Sequence, residues 1–126
     1  MARTSGLDHL VLVVADVEAT LEWYQRHLGL EPVRVDEWRA GQVPFPSLRI
    51  SAETIIDLIP GRDGGRGHLD HICFVVTGAE LAESRDRPDL VVESEGPRFG
   101  ARGVAHSIYV RDPDDLLVEL RAYPEL

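Results

Sequence analysis

The chain carries the same alternation of apolar and polar positions twice. Residues 7–15 read LDHLVLVVA and residues 69–77 read LDHICFVVT, with five identities at an offset of 62 residues. The same offset carries TIIDLI, at 54–59, onto LLVELR, at 116–121. An internal repeat of this kind predicts two copies of one structural unit.

Each copy places a histidine at a fixed distance before an acidic residue. The repeat aligns His9 with His71 and Asp57 with Glu119, and both His-to-acid spacings are 48 residues without a gap. Residues two apart share one face of a strand, so each of these side chains has a defined face. If the copies are related by a pseudo-twofold axis, all four side chains point into one cleft.

Between these anchors, each copy has the pattern of one strand, one helix and three further strands. The segment DVEATLEWYQRHLG predicts a helix that begins at an Asp16 cap and ends at Gly29. Its apolar residues recur at helical spacing: Val17, Leu21, Tyr24 and Leu28. PVRVDEW, SLRIS and TIIDLIP are predicted to be the strands that follow.

The second copy repeats this order with a longer glycine-rich insertion. A shorter helix is predicted over 78–87, strands are predicted near 89–94, 104–110 and 115–122, and GPRFGARG is predicted to be a loop. We therefore expect an α+β fold of two βαβββ modules that form a half-open, barrel-like cleft. The expected ranges are 6–60 for module one, 61–67 for the linker and 68–123 for module two.

The two histidines and their acidic partners have the chemistry of a metal site. A histidine among aliphatic residues is often an ordinary core residue, but an acid within LLVEL is costly to bury unless it is paired or metal-bound. We predict that His9, His71 and Glu119 bind one divalent ion, which could be Fe, Mn, Ni, Co or Zn. Asp57 is the fourth candidate, either directly or through a water molecule because its side chain is shorter.

Composition excludes several other classes of function. The 126 residues carry a formal charge of -9, which opposes binding to nucleic acid. All thirteen basic residues are Arg, so lysine Schiff-base and P-loop chemistry are excluded. Cys73 is the only cysteine, which excludes an internal disulfide. With no long apolar run or signal-peptide pattern, we expect a cytoplasmic protein without a membrane partner.

The sequence resembles the vicinal oxygen chelate superfamily, which includes glyoxalase I, methylmalonyl-CoA epimerase, extradiol dioxygenases, and fosfomycin and bleomycin resistance proteins. The resemblance is carried by GLDHLVLVVADVEATLEWYQRHLGL near the start and HSIYVRDPDDLLVEL near the end, and it is strongest to small glyoxalase-domain proteins. It implies that His9, His71 and Glu119 are metal ligands. Asp57 stands where glyoxalase I has Glu and the epimerase has Gln.

The resemblance leaves the reaction open between three alternatives. In a glyoxalase-like lyase or epimerase, Glu119 or Asp57 would act as the base for proton transfer next to a carbonyl. An Fe(II) extradiol dioxygenase would use Tyr109, but Gly100 stands where that group has its acid-base histidine. The third alternative is a drug-binding protein of the bleomycin-resistance type.

The expected partners are a small-molecule substrate and a second copy of the chain. Arg98 and Arg102 in GPRFGARG are candidates to attract an anionic substrate, although a merely solvated hairpin loop explains them as well. A homodimer is expected because the family often dimerises, sometimes by exchanging modules, and because sheet edges need covering.

Overall fold

The structure, a computed structural model, describes residues 3, 6–61, 69 and 71–124. The chain separates into two compact units, Met1–Gly64 and Gly65–Leu126. Each unit contains one four-stranded mixed sheet with helices, so the predicted α+β fold of two βαβββ modules is confirmed. Most of the predicted linker lies outside the described residues.

The first unit contains four strands and two helices. They are β1 (His9–Val14), α1 (Val17–Leu28), β2 (Glu31–Val33), α2 (Val35–Arg39), β3 (Ser47–Arg49) and β4 (Ile55–Pro60). The sheet order is β1-β4-β3-β2, in which β1 is parallel to β4 and the other pairs are antiparallel. The first and last strands of the unit are therefore neighbours.

The second unit repeats this topology with one helix. Its elements are β5 (His71–Val75), α3 (Gly78–Asp86), β6 (Ser94–Gly100), β7 (Gly103–Arg111) and β8 (Leu117–Ala122). The order is β5-β8-β7-β6, again with the first and last strands parallel. Both histidines thus lie on a strand that adjoins the strand of their acidic partner.

The helix ends follow from local capping. Asp16 accepts a hydrogen bond from the Ala19 amide (3.0 Å), and Gly29 ends α1 in the left-handed conformation, with φ 64°. At the start of α3, the Thr77 hydroxyl accepts from the Glu80 amide and the Glu80 carboxylate accepts from the Thr77 amide. The first helix was predicted with its observed bounds.

One face of each sheet is buried against its helix, and the other face carries the histidine. In the first unit, Leu12, Leu58 and the helix residue Leu21 are buried, whereas Val11 is 50% exposed on the His9 face. In the second unit, Leu120 is buried on the side of α3, with which β8 is in contact. On the histidine face the first strand of each unit is exposed, whereas the carboxylate on the neighbouring strand is buried; we call this the open face.

Three local predictions were wrong. The strand predicted over PVRVDEW ends at Val33, because Arg34 adopts a left-handed conformation and the Trp38 amide then bonds to the Arg34 carbonyl (2.9 Å), which starts α2. The strand predicted near 89–94 begins only at Ser94, where pairing with Tyr109 starts. The predicted loop GPRFGARG is mostly strand, since β6 and β7 pair up to Gly100 and Gly103.

None of the helices in the described part of the chain is long and apolar enough to span a membrane.

Candidate metal centre

In the first unit, His9 and Asp57 face each other across β1 and β4. Asp57 is paired with Val11, two residues beyond His9, so both side chains lie on the open face. The His9 Nε2 atom lies 4.0 Å from Asp57 Oδ2. The His9 side chain is 48% exposed, which contradicts the interpretation as an ordinary core histidine.

The neighbouring Asp8 orients the His9 ring. Its Oδ2 atom lies 2.8 Å from His9 Nδ1, which favours the tautomer with the proton on Nδ1 and the lone pair on Nε2. This hydrogen bond is the main reason why the pKa of His9 is raised; burial opposes the shift and the charge of Asp57 adds to it. A carboxylate on the far nitrogen is the usual support of a metal-binding histidine.

Only one oxygen of Asp57 is directed at His9. The other, Oδ1, accepts a hydrogen bond from the Ser47 hydroxyl at 2.6 Å. Arg34 Nη2 donates to that hydroxyl at 2.9 Å and lies 3.8 Å from Oδ1. Asp57 is buried, so these contacts compensate part of the cost of removing a carboxylate from water.

The second unit builds the same arrangement from other residues. His71 Nε2 lies 3.3 Å from Glu119 Oε1, and the His71 side chain is 38% exposed. Glu119 Oε2 accepts from the Ser107 hydroxyl at 2.7 Å and from Arg121 Nη1 at 3.0 Å. Again one carboxylate oxygen is held by a serine and an arginine, and the other faces the histidine.

These contacts keep Glu119 ionised. Burial raises the pKa of the Glu119 carboxyl, but the hydrogen bonds from Ser107 and Tyr109 and the charges of Arg121 and His71 outweigh it, so the net shift is downward. The lowered pKa favours the anionic form of Glu119. That character suits a metal ligand.

The spacing of the second pair fits two donors of one metal ion. Donors about 2.0–2.1 Å from a metal lie roughly 2.8–3.4 Å apart in octahedral or tetrahedral geometry. The His71–Glu119 distance of 3.3 Å lies in this range, whereas the His9–Asp57 distance of 4.0 Å is longer. Among the residues that the structure describes, no group of three or more His, Cys, Asp or Glu side chains could hold a metal ion. Each unit therefore offers one histidine and one carboxylate.

Arg121 explains why residue 100 is glycine. Its guanidinium is buried, donates to Glu119 and donates through Nη2 to the Arg98 carbonyl at 2.9 Å. A Cβ atom at Gly100 would lie 2.6 Å from Nη2 and 2.7 Å from Nη1. The position where an extradiol dioxygenase would have its histidine is thus closed to any side chain while Arg121 holds Glu119.

The other predicted site residues are divided between two clusters of the second unit. Tyr109 is paired with Glu119, its ring meets that of His71 edge-on at 6.2 Å, and the Arg98 guanidinium lies 5.5 Å from its centre. Burial and the hydrogen bond to Glu119 raise the pKa of Tyr109. Arg102 instead lies over the Tyr123 ring at 4.2 Å, and its amide bonds to the Tyr123 hydroxyl.

Sequence reasoning missed the groups that hold the two carboxylates: Ser47, Arg34, Ser107 and Arg121. The repeat could not identify them, because the offset of 62 residues aligns Ser47 with Tyr109 and not with Ser107. For the two serines, the available signal was a small polar residue on the strand expected to pair with each acidic strand.

Comparison with known proteins identifies the family of the chain. Residues 6–120 match the model of the Glyoxalase/Bleomycin resistance protein/Dioxygenase superfamily. The chain belongs to this superfamily. This is the group that the repeated histidine and acid positions resembled.

Members of the superfamily resemble the chain in sequence and structure. The glyoxalase domain-containing protein RDO1 of Mycosarcoma maydis is 32% identical over 95% of this chain and 69% of its own length. Virulence protein STM3117 of Salmonella typhimurium is 29% identical over 93% of this chain and 83% of its own. A structure of the fosfomycin resistance protein FosX from Listeria monocytogenes, complexed with Mn(II) and 1S,2S-dihydroxypropylphosphonic acid, has a TM-score of 0.71 and 25% identity over 97% and 93% of the two chains.

The contact between residue 100 and Arg121 yields a stability prediction. Gly100→Ala should lower the free energy of unfolding by about 1–3 kcal/mol, because the new methyl group displaces a buried guanidinium from Glu119. Gly78→Ala is the matched control, since a Cβ at that helical position meets nothing within 4 Å. Chemical denaturation of both variants measures the difference, and equal stabilities would contradict the close packing of Arg121.

Proposed function

We propose that the protein is a metal-dependent enzyme of the vicinal oxygen chelate type, which catalyses proton transfer or isomerisation on a small oxygenated metabolite. The observation that carries this proposal is the arrangement found in both units. One oxygen of a buried carboxylate is held by serine and arginine, and the other faces a histidine Nε2 atom. Such oriented donors fit a metal ion better than a purely structural role.

The proposed ligands are His9, His71 and Glu119, with Asp57 as the fourth residue. A divalent ion such as Fe, Mn, Ni, Co or Zn would act as a Lewis acid toward two neighbouring oxygens of the substrate. The Mn(II) and dihydroxypropylphosphonic acid in the FosX structure support a divalent metal and a small oxygen-rich ligand.

The contacts divide the work between the two carboxylates. Glu119, held by Ser107 and Arg121 with a lowered pKa, is a poor proton acceptor and serves as a fixed anionic ligand. Asp57 has a direct hydrogen bond from Ser47 alone, with Arg34 further away at 3.8 Å. We therefore assign the role of general base to Asp57. Tyr109, beside Glu119 and His71, is positioned to donate a proton.

This arrangement favours proton transfer over the alternatives. An extradiol reaction needs an acid-base group where the Arg121 guanidinium excludes any side chain at Gly100. A simple drug-binding role leaves the two oriented His–carboxylate pairs unexplained. Arg98, next to Tyr109, is the better placed of the two predicted substrate-binding arginines, because Arg102 lies against Tyr123.

Metal content tests the ligand assignment. His71→Ala and Glu119→Ala should each lose most of the bound metal, because each removes one of the three proposed direct ligands and leaves only two beside Asp57. His106→Ala is the matched control. His106 lies on the face of β7 opposite to Ser107 and Tyr109, and its Nε2 atom lies 3.1 Å from the Glu95 carboxylate. Metal analysis of protein purified without an affinity tag gives the answer. Full stoichiometric metal in either ligand variant would show that the assignment is wrong.

Asp57 distinguishes ligation from a supporting role. If Asp57 binds the ion and acts as base, Asp57→Asn should weaken metal affinity and abolish turnover, whereas Asp57→Glu should largely restore binding. A competition titration with a fluorescent chelator measures the affinity, and a substrate screen with and without oxygen measures the activity. An Asn variant with unchanged affinity and activity would remove the reason to prefer proton transfer over oxygenation.

We also propose that the chain forms a homodimer. The open faces leave apolar side chains in contact with water: Leu7, Val11, Val13 and Val75 are each at least half exposed. Burying such residues favours self-association. Sedimentation velocity at micromolar concentration should show a species of twice the chain mass, and a single monomeric species would refute the proposal.

A further inference from the structure

Arg34 is the least engaged of the arginines that surround the candidate centre. It lies between β2 and α2, and its Nη2 atom contacts Ser47 and lies near Asp57. Both of these residues are on the open face that carries His9. The guanidinium is therefore part of the wall of the proposed site.

In the part of the chain that the structure describes, only one of the three nitrogen atoms of this guanidinium contacts the protein. Among the described contacts, Arg34 donates through Nη2 alone, and its side chain is 41% exposed. Arg121 in the second unit differs, because it is 3% exposed and donates through both Nη1 and Nη2. Arg121 is thus committed to holding Glu119, whereas Arg34 keeps Nε–H, both Nη1 hydrogens and one Nη2 hydrogen for another acceptor.

The backbone at Arg34 supports this interpretation. Its φ of 60° and ψ of 26° lie in the left-handed region, which is unfavourable for a side-chain-bearing residue relative to glycine. Glycine would remove this cost, so the presence of arginine is explained by what its side chain does. The acidic neighbours Asp36 and Glu37 form no ion pair with it among the described contacts.

We propose that Arg34 binds an anionic group of the substrate, a carboxylate or a phosphoryl-type oxyanion, through the Nη2 hydrogen that Ser47 leaves free and the N–H donor beside it, on Nε or Nη1. This proposal deepens the function proposed above, and it depends on that function in taking the bound anion to be part of a substrate. The planar fork of arginine matches two oxygens of such a group. The substrate class is then a small metabolite with an anionic group at one end and vicinal oxygens at the other.

Inorganic phosphate is a suitable probe, and the measurement does not require activity. Phosphate is titrated into chelator-treated protein while the arginine Nε–H resonances are followed by nitrogen-15 NMR. We expect saturable movement of one Nε–H signal, which disappears in Arg34→Gln, together with a loss of affinity of about tenfold or more. Arg26→Gln, which removes the same charge from an exposed site on α1, should leave the affinity unchanged.

Asp57 provides a second, opposite readout. Its carboxylate lies close to Arg34, so Asp57→Asn should tighten phosphate binding in the metal-free protein by removing a repulsive charge. A structural role of Arg34 predicts no such gain. If Arg34→Gln does not fold, Arg34→Lys replaces it and should weaken binding several-fold, because lysine lacks the fork.

The outcomes separate this inference from the metal assignment. Equal phosphate affinity in wild type and Arg34→Gln, or no saturable binding in wild type, overturns the inference even if metal binds normally. Phosphate binding that depends on Arg34 upholds the anion site even if the metal-content experiment fails.

Discussion

The burial of a carboxylate in the middle of an apolar strand is the constraint on which the candidate site depends. Asp57 and Glu119 lie between buried aliphatic residues of β4 and β8. A buried carboxylate requires hydrogen bonds or an opposite charge, and in each of these a serine hydroxyl donates to one oxygen with an arginine nearby. The second oxygen is thereby oriented toward the histidine. The contacts that compensate for burying each carboxylate therefore also orient it within the candidate site.

The repeat made part of this arrangement predictable from sequence. The His and acid positions recur at one offset, so the two modules and the four candidate residues could be inferred. The pairing of the first strand with the last, which makes each histidine face its acid, was not predicted. The serines and arginines could not, because Ser47 is directly opposite Asp57 whereas Ser107 is diagonal to Glu119. The two units therefore place a serine and an arginine beside the carboxylate from different positions in the strand pattern. Alternation also could not distinguish a strand from the turn at Arg34, where a positive φ ends the pairing.

The two carboxylates are not equivalent despite the repeat. Glu119 is held by a buried guanidinium for which Gly100 leaves room, whereas Asp57 has a half-exposed arginine at a longer distance. A duplicated unit thus supplies one firmly held acid and one more accessible acid. This asymmetry underlies the proposed division of roles, with Glu119 as a constant ligand and Asp57 as the reactive group.

The strand order also determines when the pairs can form. In each unit the histidine is on the first strand and the acid on the last, and these strands are parallel neighbours. Closing this contact brings together residues 48 positions apart, which is entropically costly and is made late in folding. During synthesis on the ribosome, neither unit can offer its two donors until its final strand has docked. A partly folded unit therefore lacks the paired arrangement of histidine and carboxylate that the folded unit has.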